Sequence, residues 1–288
     1  MLKIERLPAN PIVTPHMDAR MGENINGPSL IRVPDWLPDP LGRYYLYFAH
    51  HKGDYIRMAY SDHLEGPWNT HEPGVLALED AYCLDHVASP DIHIDDDTRE
   101  MRMYYHGVFS GREQRSKVAL STNGLDFTAR DEVLGNSYFR VFQWGGYYYA
   151  LGMPGVFYRS KDGLTDFEEG PTLFSKNMRH TAVKVHDGKL HVFYSNVGDN
   201  PEGILLATVD LTPDWMNWEE SESVAVLQPE TDYEGTNLPL APSVRGLSIP
   251  PVRQLRDPGL FEEDGVTYVL YSVAGEQGIG IAKLEGAW

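Results

Sequence analysis

The chain has 288 residues, with 42 Asp and Glu against 24 Lys and Arg and a formal net charge of −18. That balance argues against nucleic acid or anionic membrane as a partner, because both require a basic face. A single cysteine, Cys83, excludes an intrachain disulfide, and neither a secretory leader nor a stretch of transmembrane length is legible, so the cytoplasm is the expected location.

Residues 2–7 alternate as a strand with no sheet of their own. Residues 28–31 lead to the aromatic run 44–48 and then to 56–61. The same plan returns at 89–92, 101–105 and 117–122, again at 147–151 and 156–160, and again at 190–194 and 204–208. Its fullest copy is 254–284, where Arg256-Asp257-Pro258 opens an apolar run, Glu263-Asp264-Gly265 reverses the chain and 266–273 reads as a β-branched and aromatic strand. Turns at 62–68, 123–127 and 162–167 each tuck an aromatic between neighbouring sheets. The spacing approaches one four-stranded propeller blade of about 40–50 residues, lengthened before the last copy by an insertion over 219–253. The prediction is an all-β chain, a single-domain five-bladed β-propeller over 1–288. Its blades fall near 26–78, 86–135, 138–175, 179–228 and 254–284, the last closed by residues 2–7.

The segments PSLIRV, GRYYLYFAHHKG, IRMAYSDHLEGPW and SPDIHI resemble the blades of five-bladed propeller glycosidases, notably glycoside hydrolase family 43 with relatives in families 32, 62, 117 and 130. As a repeat pattern the resemblance covers almost the whole chain. It implies a small carbohydrate ligand and hydrolysis of a short oligosaccharide by carboxylates in an axial funnel, one as base for water and one as acid. No cofactor is expected. The carboxylate pattern is not fully kept: Asn26-Gly27-Pro28 stands where a relative has Asp-Pro, and Tyr138-Phe139-Arg140 and Met178-Arg179-His180 open blades three and four without an acid. Asp91 and Asp257 alone keep an aspartate at an inner-strand entrance, and an aspartate in the setting of Asp91 is mainly structural in the resembling family.

Antiparallel pairing puts the start of a blade's first strand and the end of its second on the same face of the ring. Those positions are Asn26 with His50 and His51, Asp91 with His106, Arg140, Arg179 and His180 with Asn196, and Arg256 and Asp257 with Glu276. Singly, each fits a hydrogen-bond network around central water; together they describe a ligand funnel. Asp257 reads either as the ion-pair partner of Arg256 or as a base kept charged by that cation. His180 reads as an acid or base titrating near neutrality, or as a satisfied core histidine. Glu276 lies in a Gly-rich turn where backbone can approach a ligand. Glu234, in an insertion where Tyr233 and Asn237 interleave with carboxylates, would supply an acid if that segment folds over the funnel as a lid.

The expected site is therefore Asp257 as base with Glu234, Glu276 or His180 as acid. Asn26, His50, His51, Asp91, His106, Arg140, Arg179, Asn196 and Arg256 are the expected substrate contacts. The histidines lack a close-spaced ligand motif, and no metal is expected. Two other classes stay open: a propeller that binds sugar without cleaving it, and a lyase or isomerase using His180 and a tyrosine on an acidic sugar, with Arg140, Arg179 and Arg256 neutralising its carboxylate.

Overall fold

Aromatic and β-branched runs bounded by Gly, Asp and Pro turns fold into five antiparallel sheets arranged as the blades of a propeller. The structure is a computed structural model that describes residues 2–286 apart from 16, 19 and 21, so positions 1, 287 and 288 of the expected domain lie outside the described residues. Blade one is built on Asn26–Arg32, Tyr44–Ala49, Tyr55–Ser61 and Asn69–Thr70; blade two on Val87–Asp95, Glu100–Ser110, Glu113–Ser121 and Thr128–Ala129. Blade three is Arg140–Trp144, Tyr147–Gly152, Val156–Ser160 and Glu168–Thr172, and blade four is Met178–His186, Lys189–Asn196, Ile204–Asp210 and Val224–Leu227. Blade five takes Arg256–Glu263, Val266–Ser272 and Ile279–Glu285 from the end of the chain and its outer strand, Lys3–Arg6, from the beginning. The closing pair is antiparallel, with Lys3 opposite Glu285 and Arg6 opposite Ala282.

The first strand of each blade faces the axis. Those of blades five, one and two lie side by side, as do those of blades three, four and five. Middle strands are sandwiched between neighbouring sheets, which is why Tyr44–Ala49 is buried along its whole length rather than on alternate residues. Neighbouring blades are also pinned by hydrogen bonds: the Tyr47 hydroxyl donates to the Gly124 carbonyl of the next blade's turn at 2.8 Å, and Tyr104 does the same to Gly163 at 2.8 Å. Phe127, in the first of those turns, meets the Tyr47 ring edge-on with centroids 6.0 Å apart. No helix among the described residues is long and apolar enough to cross a membrane.

Two departures from regular blades shape one face. In blade two the second and third strands run past His106 to Ser110 and Glu113, with a tip at Gly111 and Arg112. The insertion, after supplying Val224–Leu227, makes a short turn at Asp232–Glu234 and then crosses the same face. There the Ser243 amide donates to the Asp199 carbonyl at 3.0 Å and the Leu255 amide to that of Glu202 at 3.0 Å.

Candidate active site

Every blade enters the ring through a residue whose backbone is left-handed: Gly27 (φ 61°), Ser89 (52°), Tyr138 (63°), His180 (50°) and Asp257 (48°). In four blades the inner strand also slips register here, between Asn26 and Ser29, Ala88 and Asp91, Arg179 and Ala182, and Arg256 and Gly259. A bulge of this kind re-aims a side chain. Holding a non-glycine residue left-handed costs about 1–2 kcal/mol, and such residues cluster at functional sites. The equivalents of Asp257 are thus Gly27, Ser89, Tyr138 and His180. Asp91 lies two residues further on, at the place of Gly259, which corrects the alignment that paired Asp91 with Asp257. Gly27 leaves its axial position without a side chain, and a Cβ there would meet the Ser89 Cα at 3.0 Å.

A cavity of about 270 Å³ opens over these positions. Its wall is an arc of five rings, with centroid separations of 6.4 Å for His51 to His86, 5.9 Å for His86 to His106, 4.3 Å for His106 to Tyr138 and 4.9 Å for Tyr138 to His180. Asn26, Gln114, Met153 and Arg179 add to the lining, and Arg245 and Gly246 reach it from the insertion. Among the described residues no carboxylate lines this cavity.

The carboxylates sit behind the wall. Glu276, 1% exposed, accepts from Asn24 Nδ2, from Arg256 Nη1 at 3.0 Å and from Asn26 Nδ2 at 3.4 Å, with His51 Nδ1 at 3.6 Å from it. Burial alone would raise its pKa, but His51, Asn24 and the Arg256 charge prevail and hold it at about 2. Glu202, fully buried, takes Arg179 Nε at 2.9 Å and the Ser195 hydroxyl at 2.7 Å, and lies 3.5 Å from Arg256 Nε. Asp257 is left apart from these pairs. The Ser272 hydroxyl donates to its Oδ2 at 3.3 Å, while its Oδ1 faces His180 Nδ1 at 3.4 Å and neither of those two atoms has a hydrogen-bond partner among the described residues. Burial, then the charge of Glu276, pushes the Asp257 carboxyl up to about 7. Burial, then Arg179 and Arg256, pushes His180 well below its ordinary value; burial, then His86, does the same to His106. At neutral pH both imidazoles are uncharged.

Of the expected residues, Asn26, His51, His106, Arg179 and His180 line the cavity, with Asp257, Glu276 and Arg256 directly behind them. Arg256 bonds Gln254 Oε1 at 2.6 Å and pairs with Glu276 and Glu202 rather than with Asp257. Its charge does not offset the burial and the Glu276 charge that push the Asp257 carboxyl up to about 7, whereas the expected base would be fully charged there. Glu234 is not a lid acid. Its buried carboxylate accepts from Arg6 Nε at 2.7 Å, the Tyr271 hydroxyl at 2.9 Å and the amides of Glu230 and Thr231, which exhausts its lone pairs beside the closing strand. Asp91 Oδ2 bonds His93 Nε2 at 2.9 Å and the Val141 amide at 2.9 Å, and lines a separate cavity together with Arg140. The Arg140 guanidinium donates to the Ser89 and Phe139 carbonyls. His50 Nδ1 accepts the Lys52 amide within its own turn, and Asn196 does not line the axial cavity. The sequence reading missed Tyr138, His86, Gln114, Arg245 and Glu202. Tyr138 was accessible by aligning S-Y-F with R-H-T and R-D-P; Glu202, alone in a turn, carries no such signal. Among the described residues no group of three or more His, Cys, Asp or Glu is arranged to hold a metal ion.

No family model matches the sequence. The uncharacterized protein R118 of Acanthamoeba polyphaga mimivirus is 36% identical over 329 residues, covering 100% of this chain and 92% of its own. Among solved structures, one described as a member of the GH130 family of mannoside phosphorylases containing hydrolases that target β-1,2 mannosidic linkages in Candida mannan superposes with a TM-score of 0.68. It is 14% identical and covers 97% of this chain and 93% of its own. The GH43_1 enzyme from Xanthomonas citri complexed with xylotriose superposes with a TM-score of 0.62 at 13% identity, over 92% and 88%. Likeness at such identity carries the fold and leaves the activity to the site. The chain belongs to the family of the mimivirus protein and has the five-bladed propeller fold of the family 43 and family 130 glycosidases.

Proposed function

We propose that this protein hydrolyses a glycosidic bond in a short saccharide held in the axial cavity, with Asp257 and His180 acting together as its proton carrier. The observation that carries the reading is the contact between two otherwise unpartnered buried atoms, Asp257 Oδ1 and His180 Nδ1, 3.4 Å apart at adjacent axial positions. Buried polar atoms without partners call for an explanation, and a proton passed to a ligand is one. Asp257 carries a proton up to about pH 7, and His180, uncharged and lining the cavity, is placed to relay it to the leaving-group oxygen. His106 stands across Tyr138 from His180, also uncharged and with an unpartnered Nδ1, and serves as acceptor for the proton of the attacking water. One water is consumed and the pair is reset by the proton that His106 releases.

The cavity volume is near the lower end for small-molecule sites and suits one or two sugar units. The test is kcat/KM for Asp257→Asn and His180→Gln on a panel of aryl glycosides and oligosaccharides. Each is expected to lose roughly 10²–10⁴-fold, with the double variant no worse than the poorer single, since the two handle one proton. Unimpaired turnover by Asp257→Asn would refute the assignment.

One observation favours a second reading. With Arg245 in the lining and no carboxylate among the described lining residues, the cavity also suits elimination from an acidic sugar. An adjacent imidazole removes the proton next to the sugar carboxylate, the freed electron pair forms the double bond and expels the glycosidic oxygen, and Tyr138, which burial keeps protonated, gives that oxygen its proton without any uptake of water. Formation of an ultraviolet-absorbing unsaturated product without uptake of labelled oxygen from water would select it. Binding without any bond cleavage would leave a sugar-binding propeller.

A further inference from the structure

The axial cavity does not end at its mouth. Through His51, His86, Gln114 and Gly246 it continues into a second depression of about 570 Å³. One wall is the extended hairpin of blade two, whose tip bears Arg112; Lys52 faces it from blade one, and Leu84, 69% exposed, offers an apolar floor with Leu247. Among the described residues lining both cavities the charged side chains are Lys52, Arg112, Arg179 and Arg245 against Asp85, and Asp85 lies 3.3 Å from His86. The whole chain has 42 acidic and 24 basic residues, so this cleft reverses the composition around it. Arg179 is engaged by Glu202, whereas Lys52, Arg112 and Arg245 make no ion pair among the described residues.

Unpaired cations gathered along one cleft of an acidic protein focus a local positive field on it. We propose that the natural ligand is an anionic oligosaccharide of three or more units, whose terminal sugar occupies the axial cavity and whose following units lay carboxylate or sulfate groups against Lys52 and Arg112. This rests on the saccharide reading above but not on the bond-cleaving step. Both cations are solvent-exposed, so their contribution falls with salt, while the Leu84 floor supports the faces of the sugar rings.

The experiment is calorimetric binding of wild-type protein to three sets of tetrasaccharides: uronate-containing, sulfated neutral-backbone and unsubstituted neutral. Acidic tetramers are expected to bind about tenfold or more tighter than neutral ones, with affinity falling as salt rises. The acidic set that binds identifies the anionic group. The Lys52→Ala, Arg112→Ala double variant should lose about tenfold in affinity for the acidic set and most of the salt dependence, at unchanged melting temperature. Equal or better binding of neutral tetramers, binding of none of the three sets, or a double variant indistinguishable from wild type would each overturn the proposal. Cleavage is read separately: a protein that binds acidic tetramers and breaks none sinks the hydrolase reading alone, and one that cleaves neutral glycans while ignoring acidic ones sinks the anionic ligand alone.

Discussion

Asp257 and Glu276 depart from ordinary carboxylate behaviour in opposite directions, and pH separates them. Because burial and the Glu276 charge disfavour ionised Asp257, the folded protein keeps a proton that the unfolded chain releases near 3.8. Its contribution to stability is complete below that value and is lost as pH rises to about 7. Glu276 has the reverse sign: held at about 2 against an ordinary 4.5, it contributes fully above 4.5 and loses that contribution as pH falls toward 2. The melting temperature is therefore expected to rise from pH 2 to about 4 and to decline between about 4 and 7. Asn at position 257 cannot ionise, so Asp257→Asn should abolish the decline; thermal melts across that window are the check, and a decline that persists in the variant would assign it to other groups. Asp257 and His180 were legible as candidates because both stand at strand entrances in the repeat. Their shared left-handed geometry was not, since Gly, Ser, Tyr, His and Asp have no common chemistry from which a bulge can be read.

At the scale of elements, the insertion divides into a part that supports the fold and a part that lines the axial cavity. Residues 230–234 form a capped turn whose Glu234 anchors Arg6 of the closing strand and the Tyr271 hydroxyl of blade five. Further on, Arg245 and Gly246 reach the axial cavity. Arg6→Ala would leave the buried Glu234 carboxylate without its cation, a change that costs roughly 3–5 kcal/mol. Chemical denaturation should show that loss. Turnover per folded molecule should stay unchanged, because neither Arg6 nor Glu234 lines the axial cavity; a fall in kcat at full folding would place Glu234 back in the chemistry. The interleaved Tyr, Asn and carboxylates pointed to an ordered segment, but which carboxylate faces ligand depended on where the turn docks.

For the whole molecule, ring closure depends on two chain ends meeting. Lys3–Arg6 covers the edge of Ile279–Glu285, and without it a row of unpaired backbone groups would face solvent. Deleting residues 2–7 removes both that pairing and the Arg6 contact. A fall in melting temperature of roughly 10 °C is expected from losses of several kcal/mol in a domain of this size, together with concentration-dependent light scattering. Unchanged melting would show that blade five holds without its outer strand.

The repeated strand plan and its turns determined the class of fold, because alternating side chains, aromatic runs and Gly-Asp-Pro turns act locally and recur at blade length. Strand-end polarity pointed to the face on which Asn26, His51, His106, Arg179 and His180 line one cavity. Only the tertiary structure decided the roles: Arg256 bonds Glu276 rather than Asp257, Tyr138 stands between two histidines, Glu234 closes on Arg6, and Glu202 neutralises Arg179. The reason is physical. A carboxylate acts as base, acid or anchor according to its partners and its desolvation, and in a ring those partners come from blades far apart in the chain.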